Sequence, residues 1–136
     1  MDKELLIKSI LEYREIGKEL MFRLANKHGL DISKQEDYLK LVSKPHDDIP
    51  NGGELSNKWN YYFHGLQCGF HNRKTQQRVE VELINPPNFG VVEAWFLLSF
   101  LKSTEGYKHL AENLDWQQLE NILEKMYWEN EIEEIK

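Results

Sequence analysis

The sequence predicts an α+β fold, in which an antiparallel β-hairpin, or a small sheet built on it, packs against a buried central helix. N-terminal and C-terminal helices are predicted to flank this pair. Strong β formers cluster in residues 59–70 and 78–84 and almost nowhere else. Apolar residues recur at helical spacing in 3–28 and again in 116–127. Nine of the twelve residues in 91–102 are apolar, which is typical of a helix buried on nearly all sides.

The length of 136 residues predicts a single domain over residues 1–136 with one hydrophobic core. A single cysteine, Cys68, excludes a disulfide within the chain and fits a reducing compartment. Acidic residues interrupt the early apolar positions, so no secretory signal is predicted, and the longest apolar run is too short for a membrane span. We therefore expect a soluble cytoplasmic protein that does not bind membranes.

The N-terminal helix is predicted over residues 3–28, with its apolar side chains on one stripe. Gly17 lies within this stripe, where a glycine costs about 1 kcal/mol of helix propensity relative to alanine. A glycine at such a position indicates the close approach of another backbone. Gly29 is predicted to end the helix, because glycine readily adopts the left-handed conformation that follows a helix C-terminus.

A short second helix is predicted over 34–43, because Ser33-x-x-Glu36 matches the capping-box pattern and Pro45 prevents continuation. A loop of 14 residues, 44–57, follows it. Loops of this length without their own structure often carry function. Three side chains of this loop are candidates for contact with a partner or, together with a histidine elsewhere, for acid–base chemistry: His46, Asp47 and Asp48.

The hairpin is predicted to consist of one long strand, Trp59–Phe70, and a second strand, Arg78–Ile84, joined by a polar turn. On the long strand, the side chains expected to face the core are Leu66, Cys68 and Phe70. His64 is also expected to face inward, where it must find a hydrogen-bond partner or titrate. It is the candidate functional histidine.

A metal site formed by His64, Cys68 and His71 is not expected. On a continuous strand His64 and Cys68 would share a face at about 13 Å, and His71 would point to the opposite face. Zinc bonds of about 2.0–2.3 Å do not bridge that separation without a sharp break in the strand at Gly65 or Gly69. The sequence therefore predicts no metal and no other cofactor.

The central helix is predicted over Val91–Lys102, lying across the inner face of the hairpin with Trp95 buried in the core. Asp115 and Gln118 form a capping box, which predicts the start of the last helix. The apolar stripe of that helix faces the core and its opposite face is acidic.

Negative charge is concentrated at the C-terminal end of the chain. Residues 1–104 hold 14 acidic and 14 basic side chains, whereas residues 105–136 hold nine acidic and three basic ones, so the net charge of −6 lies entirely in the second segment. Such a segment repels nucleic acid and attracts a basic partner through its field. Four carboxylates of the last helix fall on one stripe and are candidates for partner contact: Glu120, Glu124, Glu131 and Glu134.

Three short segments carry a resemblance to a known family: Trp59-x-Tyr61-Tyr62-Phe63-His64-Gly65-x-x-Cys68, then Val79-Glu80-Val81, then Phe89-Gly90-x-x-Glu93-Ala94-Trp95. This pattern, with its Phe-His-Gly-x-x-Cys core, resembles that of small uncharacterised bacterial proteins that are suspected immunity proteins of polymorphic toxin systems. The resemblance covers roughly residues 57–102 and implies no catalytic residues.

Taken with this resemblance, the sequence predicts a cytoplasmic binding protein without enzymatic activity, namely an immunity protein that binds and neutralises a cognate, basic protein toxin. Two alternatives remain open. One is a small enzyme that uses His64 together with His46, Asp47 and Asp48. The other is a homodimeric adaptor joined through the hairpin edge, because unpaired strand edges recruit further strands. No nucleic-acid partner is expected.

Overall fold

The computed structural model describes residues 2–42, 49–84, 87–90 and 92–129. Its elements, in chain order, are α1 (Lys3–Lys27), α2 (Gln35–Val42), β1 (Gly52–Glu54), β2 (Trp59–His64), β3 (Gln67–Asn72), β4 (Arg78–Glu82), α3 (Ala94–Lys102), a 3₁₀ turn (Lys108–Ala111) and α4 (Trp116–Trp128). Within the described residues, the four strands form one antiparallel sheet in the order β1-β2-β3-β4. The predicted α+β class is thus confirmed, with a small sheet in place of a lone hairpin.

The predicted long strand 59–70 is wrong, because a tight turn divides it into β2 and β3. His64 pairs with Gln67, so only Gly65 and Leu66 lie in the turn. Gly65 has a φ of 58°, which a glycine adopts without steric cost. The turn carries Leu66 out of the predicted core face, and its side chain is 73% exposed. Cys68 and Phe70 face the core as predicted and are fully buried.

Helix α1 crosses β4 at Gly17, and the two elements approach closely there. A Cβ atom added at Gly17 would stand 3.1 Å from Val79 Cγ1 and 3.1 Å from Val81 Cγ2. The glycine therefore accommodates the branched side chains of a strand, where the sequence indicated another backbone. Gly29 follows α1 with a φ of 73°, which confirms the predicted helix end.

Both outer strands of the sheet offer little free edge. On β4, the Glu80 backbone N–H donates to the Tyr13 hydroxyl at 2.9 Å, and the Glu82 carbonyl accepts from the Asn88 backbone N–H at 3.0 Å. β1 lies inside the predicted loop 44–57 and has only three residues. The Lys27 ammonium donates to the carbonyl of its last residue, Glu54.

The buried side chains form two clusters that α1 joins. The first half of α1 packs with α3, the 3₁₀ turn, α4 and Val79, and the second half packs with α2 and the inner face of the sheet. Phe100 and Leu97 of α3 are fully buried, but Trp95 is 62% exposed, so the predicted burial of Trp95 is wrong. No helix in the described ranges is long and apolar enough to cross a membrane.

Candidate functional site

A groove of about 530 Å³ lies between the start of α3 and the outer side of α4. Its floor is apolar and includes Ala94, Leu123 and part of Tyr127. We call it the acidic groove, and define it by the six polar or aromatic side chains on its walls: Glu93, Trp95, Trp116, Glu120, Glu124 and Trp128. It brings two of the four predicted carboxylates, Glu120 and Glu124, together with tryptophans that were not predicted to contact a partner.

Helix α4 places two of these carboxylates by its capping and its amphipathic pattern. Asp115 Oδ1 accepts from the Gln118 backbone N–H at 2.8 Å, and Gln118 Oε1 accepts from the Asp115 backbone N–H at 2.9 Å, which confirms the predicted capping box. The apolar stripe of the helix is buried against α3 and the 3₁₀ turn. Glu120 and Glu124, one turn apart beside this stripe, are exposed.

The opposite wall is set by the residues that lead into α3. Glu93 occupies the N-cap position, but its side chain does not cap the helix. Its Oε1 atom instead accepts a hydrogen bond from Gln67 Nε2 of β3 at 2.8 Å, which ties this end of α3 to the sheet. Trp95 follows on the outer side of the first turn.

Three tryptophans on the groove walls remain open to solvent. Trp95 is 62% exposed, Trp116 is 40% exposed and Trp128 is 82% exposed. A scattered exposed apolar residue needs no explanation, but a contiguous exposed apolar patch marks an interaction surface. Tryptophan is also the residue type most enriched among those that dominate the binding energy of protein interfaces.

The carboxylates of α4 that face the groove are not neutralised by their neighbours. Within residues 2–42, 49–84, 87–90 and 92–129, neither Glu120 nor Glu124 forms a hydrogen bond or a salt bridge. Lys125 points away from them to Glu129, at 4.0 Å on the exposed side of the helix. In the described part of the chain, Glu120 and Glu124 therefore present unpaired negative charge beside large apolar surfaces.

A second groove, of about 660 Å³, lies on the other side of the same two indoles, Trp95 and Trp116. We call it the basic groove, and define it by its two cationic side chains, Arg78 of β4 and Lys102 at the end of α3. Both are exposed. Among the described residues that line it, the one acidic side chain, that of Asp115, caps α4.

A buried carboxylate, which sequence reasoning missed, lies on the outer face of the sheet, opposite the face that packs on α1. Glu80 of β4 is only 7% exposed. The Tyr62 hydroxyl donates to Glu80 Oε1 at 3.1 Å, while Glu80 Oε2 is buried with no hydrogen-bond partner among the residues that the structure describes. Tyr62 reaches Glu80 across Gly69, where an added Cβ would lie 2.0 Å from Tyr62 Cζ.

Burial, with a smaller contribution from the negative charge of nearby Glu93, raises the pKa of Glu80 to about 7, although the Tyr62 hydrogen bond and Arg78 oppose the shift. Burial, followed by the charge of Glu80, raises the pKa of Tyr62 to about 12. Burial also raises the pKa of Tyr13, the tyrosine that accepts from the Glu80 backbone. Glu80 is therefore expected to titrate near neutral pH.

His64 does not face inward as predicted. It is exposed at the end of β2, on the outer face of the sheet, while Cys68 is buried on the inner face. His71 lies on the same outer face as His64, contrary to the prediction, and its ring contacts Gln76 Oε1 at 3.0 Å. Among the described residues, no group of three or more His, Cys, Asp or Glu side chains could hold a metal ion.

Of the predicted partner-binding residues, Glu120 and Glu124 come together with Glu93 and the three tryptophans. Five others lie outside the described residues, so their predicted contact with a partner stays a prediction: His46, Asp47, Asp48, Glu131 and Glu134. The spacing of Trp116, Glu120 and Glu124 was the signal that could have placed the indole beside the carboxylates, since residues four apart share a helix face.

The chain matched one family model, over residues 6–136, and that family is described as a domain of unknown function. No curated protein and no solved structure matched the chain. The match covers nearly all 136 residues, including the helices on both sides of the sheet. The chain therefore belongs to the family of the domain of unknown function DUF6896.

Proposed function

We propose that this protein is a cytoplasmic immunity protein that binds a basic bacterial toxin and neutralises it. The observation that carries the proposal is the acidic groove, where three exposed indoles stand beside three exposed carboxylates. The resemblance of the Phe-His-Gly-x-x-Cys region to suspected immunity proteins supports the choice of a toxin as the partner. Neutralisation then requires only tight binding over the active surface of the toxin.

The chemistry of the groove suits arginine and lysine side chains of a protein partner. A guanidinium or ammonium group is attracted to the face of an indole and also pairs with a carboxylate. The acidic groove offers both partners within one cleft of about 530 Å³. The excess of negative charge in residues 105–136 would also speed the encounter with a basic protein.

The homodimeric adaptor is less favoured as an alternative. β-Augmentation needs a row of free backbone groups on an outer strand. β4 already bonds Tyr13 and Asn88 along its outer edge, and β1 has three residues. An outer edge of that length offers few hydrogen bonds to a second copy.

The enzyme alternative gains no support from the position of His64. The side chain is exposed at the hairpin end and lines neither the acidic nor the basic groove. A general base works best where surrounding groups fix it and tune its pKa.

The test is surface-plasmon kinetics with the protein encoded immediately upstream, immobilised as its C-terminal toxin domain. Trp95→Ala should weaken binding by at least about 30-fold, because truncation of a central tryptophan costs roughly 2 kcal/mol or more. Leu66→Ala is the matched control, since Leu66 is also a highly exposed apolar residue (73%) but lies at the hairpin turn. Absence of binding by the wild-type protein, or equal binding by both variants, would contradict the proposal.

Growth provides a second readout. Cells that express the toxin domain should survive with the wild-type protein or Leu66→Ala, and should be protected poorly by a Trp95→Ala/Trp128→Ala double variant. Both tryptophans are exposed, so circular dichroism should show that the double variant is folded.

A further inference from the structure

The acidic and basic grooves are two halves of one surface. Trp95 and Trp116 line both of them, so a single partner segment crossing these indoles would enter both clefts. The charges on the two sides are opposite: Glu120 and Glu124 on one, Lys102 and Arg78 on the other.

Lys102 is the more informative of the two cations. It is exposed at the last residue of α3, and in the described part of the chain its ammonium forms no salt bridge or hydrogen bond. Arg78 has neighbours of its own, because it faces Tyr62 and Glu80 across the outer side of the sheet. Among the described residues, Lys102 is therefore a charge without a counter-charge, and an anionic side chain of a partner would neutralise it.

A uniformly basic partner does not fit this arrangement. Its positive charges would be attracted to Glu120 and Glu124 but repelled by Lys102 and Arg78 across the same indoles, and like charges brought together at an interface are strongly unfavourable. Opposite charges on the two sides of an apolar centre fix the orientation of a bound surface as well as its identity.

We infer that this surface recognises a partner segment carrying a cationic and an anionic side chain on either side of an apolar one. The cation enters the acidic groove, the anion pairs with Lys102 in the basic groove, and the apolar group covers Trp95 and Trp116. The inference rests on the proposed function, and it specifies the local charge pattern of the toxin surface even where the toxin as a whole is basic.

Whether Lys102→Glu weakens or tightens binding distinguishes a mixed-charge partner segment from a uniformly basic one. Against a segment with an anion in the basic groove, Lys102→Glu should weaken binding by about tenfold, because a pair becomes a like-charge contact. Against a uniformly basic surface the same change removes a repulsion and should tighten binding. Lys40→Glu, on the exposed side of α2 and away from both grooves, is the matched control for the change in net charge.

The assay is equilibrium and kinetic binding to the immobilised toxin domain encoded upstream, with Glu124→Lys measured in parallel. Loss of affinity in both Glu124→Lys and Lys102→Glu, with Lys40→Glu close to wild type, supports the inference. Binding by Lys102→Glu that equals or exceeds wild type overturns the inference and leaves the proposed function standing. Failure of the wild-type protein to bind overturns both.

Discussion

Replacing Glu80 by glutamine should flatten the pH dependence of folding stability. Glu80 is only 7% exposed, its Oε2 atom is buried with no hydrogen-bond partner among the described residues, and burial raises its pKa to about 7 from an ordinary value of 4.5. The folded state therefore binds a proton more tightly than the unfolded state. The contribution of this bound proton to the free energy of unfolding is fully present below pH 4.5 and is lost as the pH rises through about 7.

The size of the effect follows from that pKa difference. At 1.36 kcal/mol for each tenfold change in proton affinity, ionised Glu80 costs the fold about 3 kcal/mol at pH 8 relative to pH 4.5. Glutamine cannot ionise, so the variant does not lose this stability as the pH rises. The glutamine amide nitrogen would take the place of Oε2, where it would lack a hydrogen-bond acceptor among the described residues, and this would lower the absolute stability of the variant. The decisive quantity is therefore how steeply the free energy of unfolding changes with pH.

The assay is urea unfolding of the wild-type protein and of Glu80→Gln at several pH values between 4.5 and 8. The wild-type free energy of unfolding should fall relative to the variant by about 3 kcal/mol across this range. Other groups, such as Asp31 with its lowered pKa, are common to both proteins and cancel in the difference. Glu82→Gln, on the same strand with a half-exposed side chain, controls for the loss of one charge.

Parallel plots of the free energy of unfolding against pH for wild type and Glu80→Gln would refute the reasoning, because they would mean that ionising Glu80 does not destabilise the fold. Two further variants test the cause directly by carboxyl NMR titration. Tyr62→Phe removes the donor that stabilises the ionised form, so the pKa of Glu80 should rise. Glu93→Gln removes a nearby negative charge, so the pKa of Glu80 should fall.

Two other predictions concern packing and are measured by thermal and urea unfolding. Gly69→Ala should destabilise the fold by about 1–3 kcal/mol, because the new Cβ would lie 2.0 Å from Tyr62 Cζ. Adding Tyr62→Ala should remove most of this penalty, and an equal effect of Gly69→Ala with and without Tyr62→Ala would contradict the prediction. Trp95→Ala should lower the free energy of unfolding by less than about 1 kcal/mol, whereas Phe100→Ala, at a fully buried position of the same helix, should lower it by about 3–5 kcal/mol. A larger loss for Trp95→Ala than for Phe100→Ala would show that the indole belongs to the core.

The parts of the fold that sequence reasoning predicted well are those specified by local chemistry. α1 and α4 follow from apolar spacing, and their ends follow from Gly29 and from the Asp115–Gln118 box. The second predicted capping box is not seen: α2 starts at Gln35, and the Ser33 hydroxyl donates to Asp31. An exposed aspartate two residues away thus competes for the hydroxyl that a helix N-terminus would use.

The missed features depend on contacts that no local pattern encodes. The turn at Gly65 lacks the Asn-Gly or Asp-Gly signal and carries only the weaker one of a glycine at its first position, so β2 and β3 were predicted as one strand. That error also assigned His64 and Leu66 to the wrong face of the sheet. β1 consists of Gly-Gly-Glu, which has low β propensity and pairs only because β2 presents an edge. Glu80 alternates with buried valines as a solvent-facing residue would, and its burial arises from Tyr62 crossing Gly69.

Trp95 connects the missed fold feature to the proposed site. A helix that is apolar on all sides gives no periodic signal for the side that faces solvent, so α3 was predicted to be buried throughout. In the structure its inner side chains complete the core with α1 and α4, and the indole is left 62% exposed between two clefts of opposite charge. Folding alone would be served as well by a polar residue at this position. The exposed tryptophan is therefore better explained by a partner that covers it than by the stability of the fold.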